Sequence, residues 1–246
     1  MLILELWDLY DAQRQKTGRT IRRGEPLEPG QYHLVVDAVI INSRGEFLIQ
    51  QRAHEKDIYP DVWTFTGGSA LAGEDGLTAV LREVREELGF APDESKTRLY
   101  HQMTERHNHR DIYLIEADIP AQQLHLQKEE VQDARWMLPE EFLLDPALRA
   151  QVSVEVWFEA LIGGLSRLSG ERRVKLGRYR HFRGKEYIVR GIAVHSETLC
   201  PMVIYQAQYG EFGLWTRPLS MWNERVTRGD IDAPRFTYIG PVQPGC

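Results

Sequence analysis

Between Gly68 and Phe90 the chain runs Gly68-x5-Glu74-x7-Arg82-Glu83-Val84-Arg85-Glu86-Glu87-Leu88-Gly89-Phe90. On a helix Glu83 lies one turn from both Glu86 and Glu87, so the three carboxylates share a face. Like charges at those spacings weaken a helix by about 0.2–0.5 kcal/mol per pair. The only cations beside them are Arg82 and Arg85. A solvated helix face normally mixes in lysines. Carboxylates at this density suit a hard divalent cation, which takes oxygen from carboxylate, water and phosphate. The approach to the helix, Thr66-Gly67-Gly68-Ser69, lacks side chains at two positions, so backbone can come close to a metal or a phosphate.

The elements that must position these groups follow from periodicity. Leu77, Val80, Leu81 and Val84 recur at spacings of three and four, which predicts a helix over Gly76–Leu88 with Gly89 as its cap. Leu4–Asp11 reads as a strand, followed by a polar turn at Thr17-Gly18-Arg19. His33–Ile41 and Glu46–Arg52 read as a hairpin around Asn42-Ser43-Arg44-Gly45. Trp63–Thr66, Asp111–Ile119 and Asp133–Met137 are further strands. Pro139-Glu140-Glu141 suits a helix start, with Ala147–Leu161 the best helical stretch. Gly163-Gly164 and Ser169-Gly170 read as a linker, dividing the chain into 1–168 and 169–246. Beyond it strands predominate: 187–189, 191–194, 202–205 and 214–216.

Charge divides the chain in the same way. Residues 1–169 hold 18 Lys/Arg against 29 Asp/Glu, a net −11, whereas residues 170–246 hold 12 against 7, a net +5. The acidic part would repel a polyanion unless a cation intervenes. No apolar run is long enough to span a bilayer, and Met1–Asp8 reaches charge too early for a signal peptide, so no membrane partner and a cytoplasmic location are expected. The two cysteines, Cys200 and Cys246, fit neither a disulfide framework nor a zinc spacing.

The Gly68–Phe90 pattern resembles the Nudix box at every defined position, with Phe90 as the final apolar residue. The resemblance implies an α+β fold: a Nudix α/β/α sandwich on a mixed sheet, followed here by a small all-β, barrel-like domain. It implies that Glu83, Glu86 and Glu87 bind Mg²⁺ or Mn²⁺, with Glu87 or a neighbour helping to deprotonate the attacking water. The Gly67 carbonyl is a further ligand candidate, and an Arg82–Glu74 ion pair would brace loop against helix. Many family members supply another carboxylate from a later loop, for which Glu130, or Glu129, is the candidate. Arg52, Lys56 and Gly68 are candidates to meet substrate phosphate. The implied activity is hydrolysis of a diphosphate linkage in a small molecule, such as a nucleoside diphosphate derivative.

Trp7–Asp11, Gly18-Arg19, Tyr32-His33-Leu34 and Gln51-Arg52-Ala53 are similar to the branch related to isopentenyl diphosphate isomerase. That alternative needs a cysteine soon after the Trp-Thr pair, yet Trp63-Thr64 leads to Phe65-Thr66-Gly67-Gly68, and no cysteine precedes Cys200. His33, His109 and Asp111 fall near positions where the isomerase collects a second metal. A non-catalytic nucleotide sensor is the other alternative, against which the intact carboxylate set argues. Tyr179–Gly184, His195–Thr198 and Leu214–Pro218 resemble the family known as domain of unknown function 1653. Its aromatic and basic residues would suit a nucleic-acid or nucleotide platform, but a role as the core of a small β domain is the favoured reading. A homodimer is left open.

Overall fold

A computed structural model describes residues 5–57, 59–145, 156–229 and 231–242. The chain divides into two compact units after Met137, residues 44–46 grouping with the second. The first unit contains β1 (Leu6–Tyr10), β2 (Lys16–Arg22), β3 (His33–Ile41), β4 (Phe47–Arg52), β5 (Trp63–Thr64), β6 (Thr66–Ser69), α1 (Gly76–Leu88), β7 (Thr97–Thr104), β8 (Asn108–Glu116) and β9 (Val131–Met137). Its main sheet has the order β5-β4-β3-β8-β7, with β6 also pairing β3 and β9 pairing β4. The sheet is mixed, because β3 and β8 run parallel while the other neighbours run antiparallel.

Strand β3 is the centre for a reason visible in its residues. Val36, Ala38, Val39, Ile40 and Ile41 are all fully buried, a near-continuous apolar run of the kind that a strand covered on both faces requires. Leu34, Val36, Ala38 and Ile40 pack with Ala79, Val80, Val84 and Leu88 of α1 in one core. That helix starts where Asp75 accepts a hydrogen bond from Thr78 N and ends where Gly89 takes φ 72° and its N–H reaches Arg85 O. The expected bounds of α1 and the mixed sheet are those observed, and α1 is the one α-helix of this unit among the described residues.

Three local expectations differ from the structure. Strands β3 and β4 pair only at Ile40–Leu48 and Ile41–Phe47, because β4 continues along β9 while β3 turns to β6. Thr17-Gly18-Arg19 is no turn: it lies inside β2, where an irregularity against Asp8–Tyr10 is accommodated by Gly18 at φ 77°. Gly163-Gly164 and Ser169-Gly170 are no linker either, since both lie within one helix, α3 (Val156–Arg173). Much of the expected Ala147–Leu161 helix falls outside the described residues.

The second unit contains α2 (Pro139–Leu144), α3 (Val156–Arg173), β10 (Gly177–His181), β11 (Glu186–Val194), β12 (Pro201–Ala207), β13 (Leu214–Pro218), α4 (Leu219–Trp222), β14 (Arg225–Arg228), β15 (Ile231–Pro234) and β16 (Phe236–Gly240). Five of its strands form an antiparallel sheet, β13-β12-β11-β10-β16, and β14 pairs β15 separately. This sheet is open rather than a closed barrel, since β13 and β16 remain as its two edges. Its core is aromatic, as the sequence suggests: Tyr179, Tyr205, Trp222 and Phe236 join Val174, Val189, Val203 and Leu219.

Candidate active site on helix α1

The site begins with Arg82, because its guanidinium is the hub of the glutamates. Its Nε and Nη2 donate to the two carboxylate oxygens of Glu74 at 2.8 and 2.9 Å, and Nη2 also reaches the Ser69 carbonyl at 3.1 Å. Its Nη1 donates to Glu83 at 2.9 Å and to Glu86 at 3.1 Å. The forked geometry that only arginine offers thus ties the loop after β6 to the helix. Glu74 also accepts from Leu71 N, closing the loop on itself. Hydrogen bonds from Arg82 and Leu71 N outweigh burial and hold the Glu74 carboxyl below its usual range.

Glu83 leans against the glycine strand. A Cβ built on Gly68 would stand 2.3 Å from Glu83 Oε1, so any side chain there would occupy the place of the carboxylate. Gly67, opposite Asp37 in the β3–β6 register, is equally confined, a Cβ there meeting Val36 O at 2.4 Å and Asp37 Oδ1 at 2.6 Å. Burial pushes the Glu83 carboxyl up, against the pull of Arg82.

Glu87 is the exception on the helix: a carboxylate at a buried position, with 6% exposure. The Gln50 amide donates to its Oε2 at 2.7 Å, and Gln50 Oε1 accepts from the Thr66 hydroxyl at 2.8 Å. Burial pushes the Glu87 carboxyl up to about 7; Glu83 and Glu130 add to the rise, while Gln50 and Arg52 oppose it. Both Glu130 and Arg52 therefore lie within electrostatic reach of Glu87. Lys56 Nζ pairs with Glu130 at 2.5 Å, which brings together two residues predicted for different roles, a metal ligand and a phosphate contact. Glu129 is exposed.

Not every predicted grouping forms. Glu83 and Glu86 turn to Arg82 while Glu87 turns to Gln50, and no three His, Cys, Asp or Glu side chains among the described residues stand ready to grip an ion. The donor set nonetheless fits a divalent cation: hard oxygens, a bare Gly68 against Glu83, and buried carboxyls whose mutual repulsion a cation would relieve. The second metal site near His33, His109 and Asp111 does not assemble. His109 uses Nδ1 with Thr104 and Nε2 with Asp11 O, and its ring stacks on Tyr32. Asp111 pairs with Arg14 and accepts from Gln102. His33 stacks on Trp7 at 4.3 Å.

Sequence reasoning missed Gln50 and Thr66. The available signal was a glutamine following Phe47-Leu48-Ile49 in an otherwise buried strand, since a buried amide needs partners. In the second unit His195 accepts from Glu197 N and Thr198 N across an exposed turn, which gives it a capping part.

Two segments of the chain match separate families of known proteins. Residues 31–158 match the family model described as NUDIX domain, and residues 177–238 match that of a protein of unknown function, DUF1653. An uncharacterized Nudix hydrolase of Listeria monocytogenes is 43% identical over 139 residues, covering 56% of this chain and 82% of the relative. An isopentenyl-diphosphate Delta-isomerase of Streptomyces coelicolor is 30% identical over 176 residues, 65% of this chain and 82% of that protein. A crystal structure from Deinococcus radiodurans shares the fold with a TM-score of 0.52 at 22% identity, over 64% of this chain and 97% of its own.

Proposed function

Because the chain belongs to the Nudix hydrolase family, we propose that its first unit cleaves a nucleoside diphosphate derivative or a related organic diphosphate, with Mg²⁺ or Mn²⁺ held by Glu83, Glu86 and Glu87. The observation that carries this reading is the packing of the Glu83 carboxylate on the bare Cα of Gly68, with buried Glu87 one turn along the helix. A pyrophosphohydrolase must bring an anionic substrate to an acidic surface, and the cation makes that possible. When bound, it supplies positive charge against the diphosphate oxygens and acidifies the attacking water.

The chain's own residues do the rest. Water attacks phosphorus, a new P–O bond forms and the bridging P–O bond breaks. Glu87, the buried carboxyl of the set, or a neighbouring carboxylate would accept the water's proton. Gln50 and Thr66 hold the Glu87 carboxylate in one orientation, and Arg82 keeps Glu83 and Glu74 in register with the glycine strand. Arg52 and Lys56 stand on the same side as Glu130 and would meet substrate phosphate. Isomerase chemistry is the weaker reading, for want of a cysteine before Cys200.

The test is a screen of nucleoside diphosphate derivatives, nucleoside triphosphates and isoprenoid diphosphates with each metal, run in ¹⁸O-labelled water. The expected result is a phosphate product carrying the label, lost in Glu87→Gln. No phosphate release from any compound, or double-bond migration alone, would overturn the proposal.

A further inference from the structure

Arg217 in the second unit is an arginine without an acceptor. Its Nε is buried with no hydrogen-bond partner, and among the described residues no carboxylate pairs with it. Its neighbours in the unit differ: Arg178 and Arg180 share Glu186, Arg190 uses Gln206, Arg225 uses Asp232 and Arg235 uses Glu224. A guanidinium whose charge no carboxylate offsets is one that an anionic ligand could engage without displacing an acceptor.

The surroundings define that ligand. Strands β13 and β16 are opposite edges of the open sheet, yet the Arg217 guanidinium stands 6.0 Å from the ring centre of Phe236. The sheet therefore curls, and half-buried Arg217 lies at the rim of its aromatic core. Phe236 is stacked on Trp222 at 3.8 Å and flanked by His181 at 5.0 Å. The field there is positive: burial, with Arg235, Arg183 and Arg217, holds the His181 imidazole below its usual range. Trp222 Nε1 is a second buried donor with no partner. Two residues back on β13, and so on the same face as Arg217, Trp215 is 60% exposed, a large open ring about 7 Å along the strand.

We propose that this face binds a small phosphate-bearing molecule with a planar ring, its oxyanion on Arg217 and its ring on Trp215. A strand of nucleic acid is the poorer occupant, because tracking a backbone takes a row of free cations, and most of the neighbouring arginines are already engaged by this unit's own side chains.

The experiment uses the full chain carrying Glu87→Gln, with divalent ions chelated so that binding in the first unit does not contribute. Calorimetric titration with AMP, inorganic phosphate and adenosine reads the two halves of the site. AMP is expected to bind about tenfold or more tighter than phosphate, a difference of about 1.4 kcal/mol. Arg217→Met should weaken both by about tenfold or more, and Trp215→Ala should reduce AMP to the level of phosphate. Arg217→Lys, which keeps the charge and loses Nε, should fall between; it serves as the probe if the methionine variant fails to fold. No binding of AMP, binding that neither substitution changes, adenosine binding as tightly as AMP, or binding of a single-stranded RNA oligomer alone would each overturn the proposal.

Discussion

The side-chain amide of Gln50 donates to the carboxylate of Glu87 at 2.7 Å, across 37 residues of sequence, with Gln50 itself only 2% exposed. Thr66 fixes which end of the amide faces Glu87, because its hydroxyl donates to Oε1 and leaves the N–H for the carboxylate. Gln50→Leu keeps the volume and removes both bonds. Outer partners of metal ligands are typically worth about 10–100-fold in affinity. Mn²⁺ affinity of the substrate-free protein, followed by electron paramagnetic resonance, should therefore fall by about that factor, with Thr66→Val causing a smaller loss. Unchanged Mn²⁺ binding in Gln50→Leu, in a protein where Glu87→Gln does lose it, would make Gln50 a packing residue only.

Gly68→Ala tests the cradle. The backbone there does not need glycine's freedom, since Gly68 is not among the positive-φ residues, so the new methyl acts by displacing Glu83. A shift of that size at a catalytic group costs on the order of 10²-fold. The expected outcome is a loss in kcat/KM of about that factor, with a melting temperature within a few degrees of the parent. Retained activity would mean that the Glu83 carboxylate is not used where it lies.

Much of this site was legible because its signals are local. The bounds of α1 follow from Gly89 and the three-and-four spacing of apolar residues, and the carboxylates come with them. What was not legible is set by distance or by exposure. Strand β7 shows no buried position, so Thr97–Thr104 carries no alternation to read. The Gly163-Gly164 pair looks like a breaker by propensity but lies inside α3, in a protein where helices are held by packing more than by propensity. The Gln50–Glu87 bond and the open edges of the second sheet are tertiary facts. No spacing rule announces them.

Arg82 joins Glu74, Glu83 and Glu86, with 18% of its side chain exposed. Arg82→Met leaves these carboxylates facing one another without a cation. Removing one partner of a largely buried, charged network costs about 2–4 kcal/mol, so chemical denaturation should place the variant lower by that amount. Because the residual repulsion is between carboxylates, millimolar Mn²⁺ should restore part of the loss in Arg82→Met and do less for the parent. A variant destabilised to the same extent with and without Mn²⁺ would separate the Arg82 network from the proposed cation site.

The last expectation concerns acid stability and lies in the Trp7–His33 stack. Burial, helped by the charge of Arg110, lowers the His33 imidazole to about 4 from an ordinary 6.5. The unfolded chain therefore takes up a proton on His33 at a higher pH than the folded chain does, so the folded state is favoured above about 6.5 and loses ground as pH falls toward 4. Integrated over that window the loss is on the order of 2–3 kcal/mol, somewhat less than the full shift because the ring is not fully buried. Replacing His33 with Phe keeps a ring against Trp7 and removes the titrating group. Urea unfolding at pH 7 and pH 4.5 should then show a smaller acid-induced loss in His33→Phe than in the parent, by about that amount. Equal losses in the two proteins would show that the His33 imidazole does not carry the acid sensitivity.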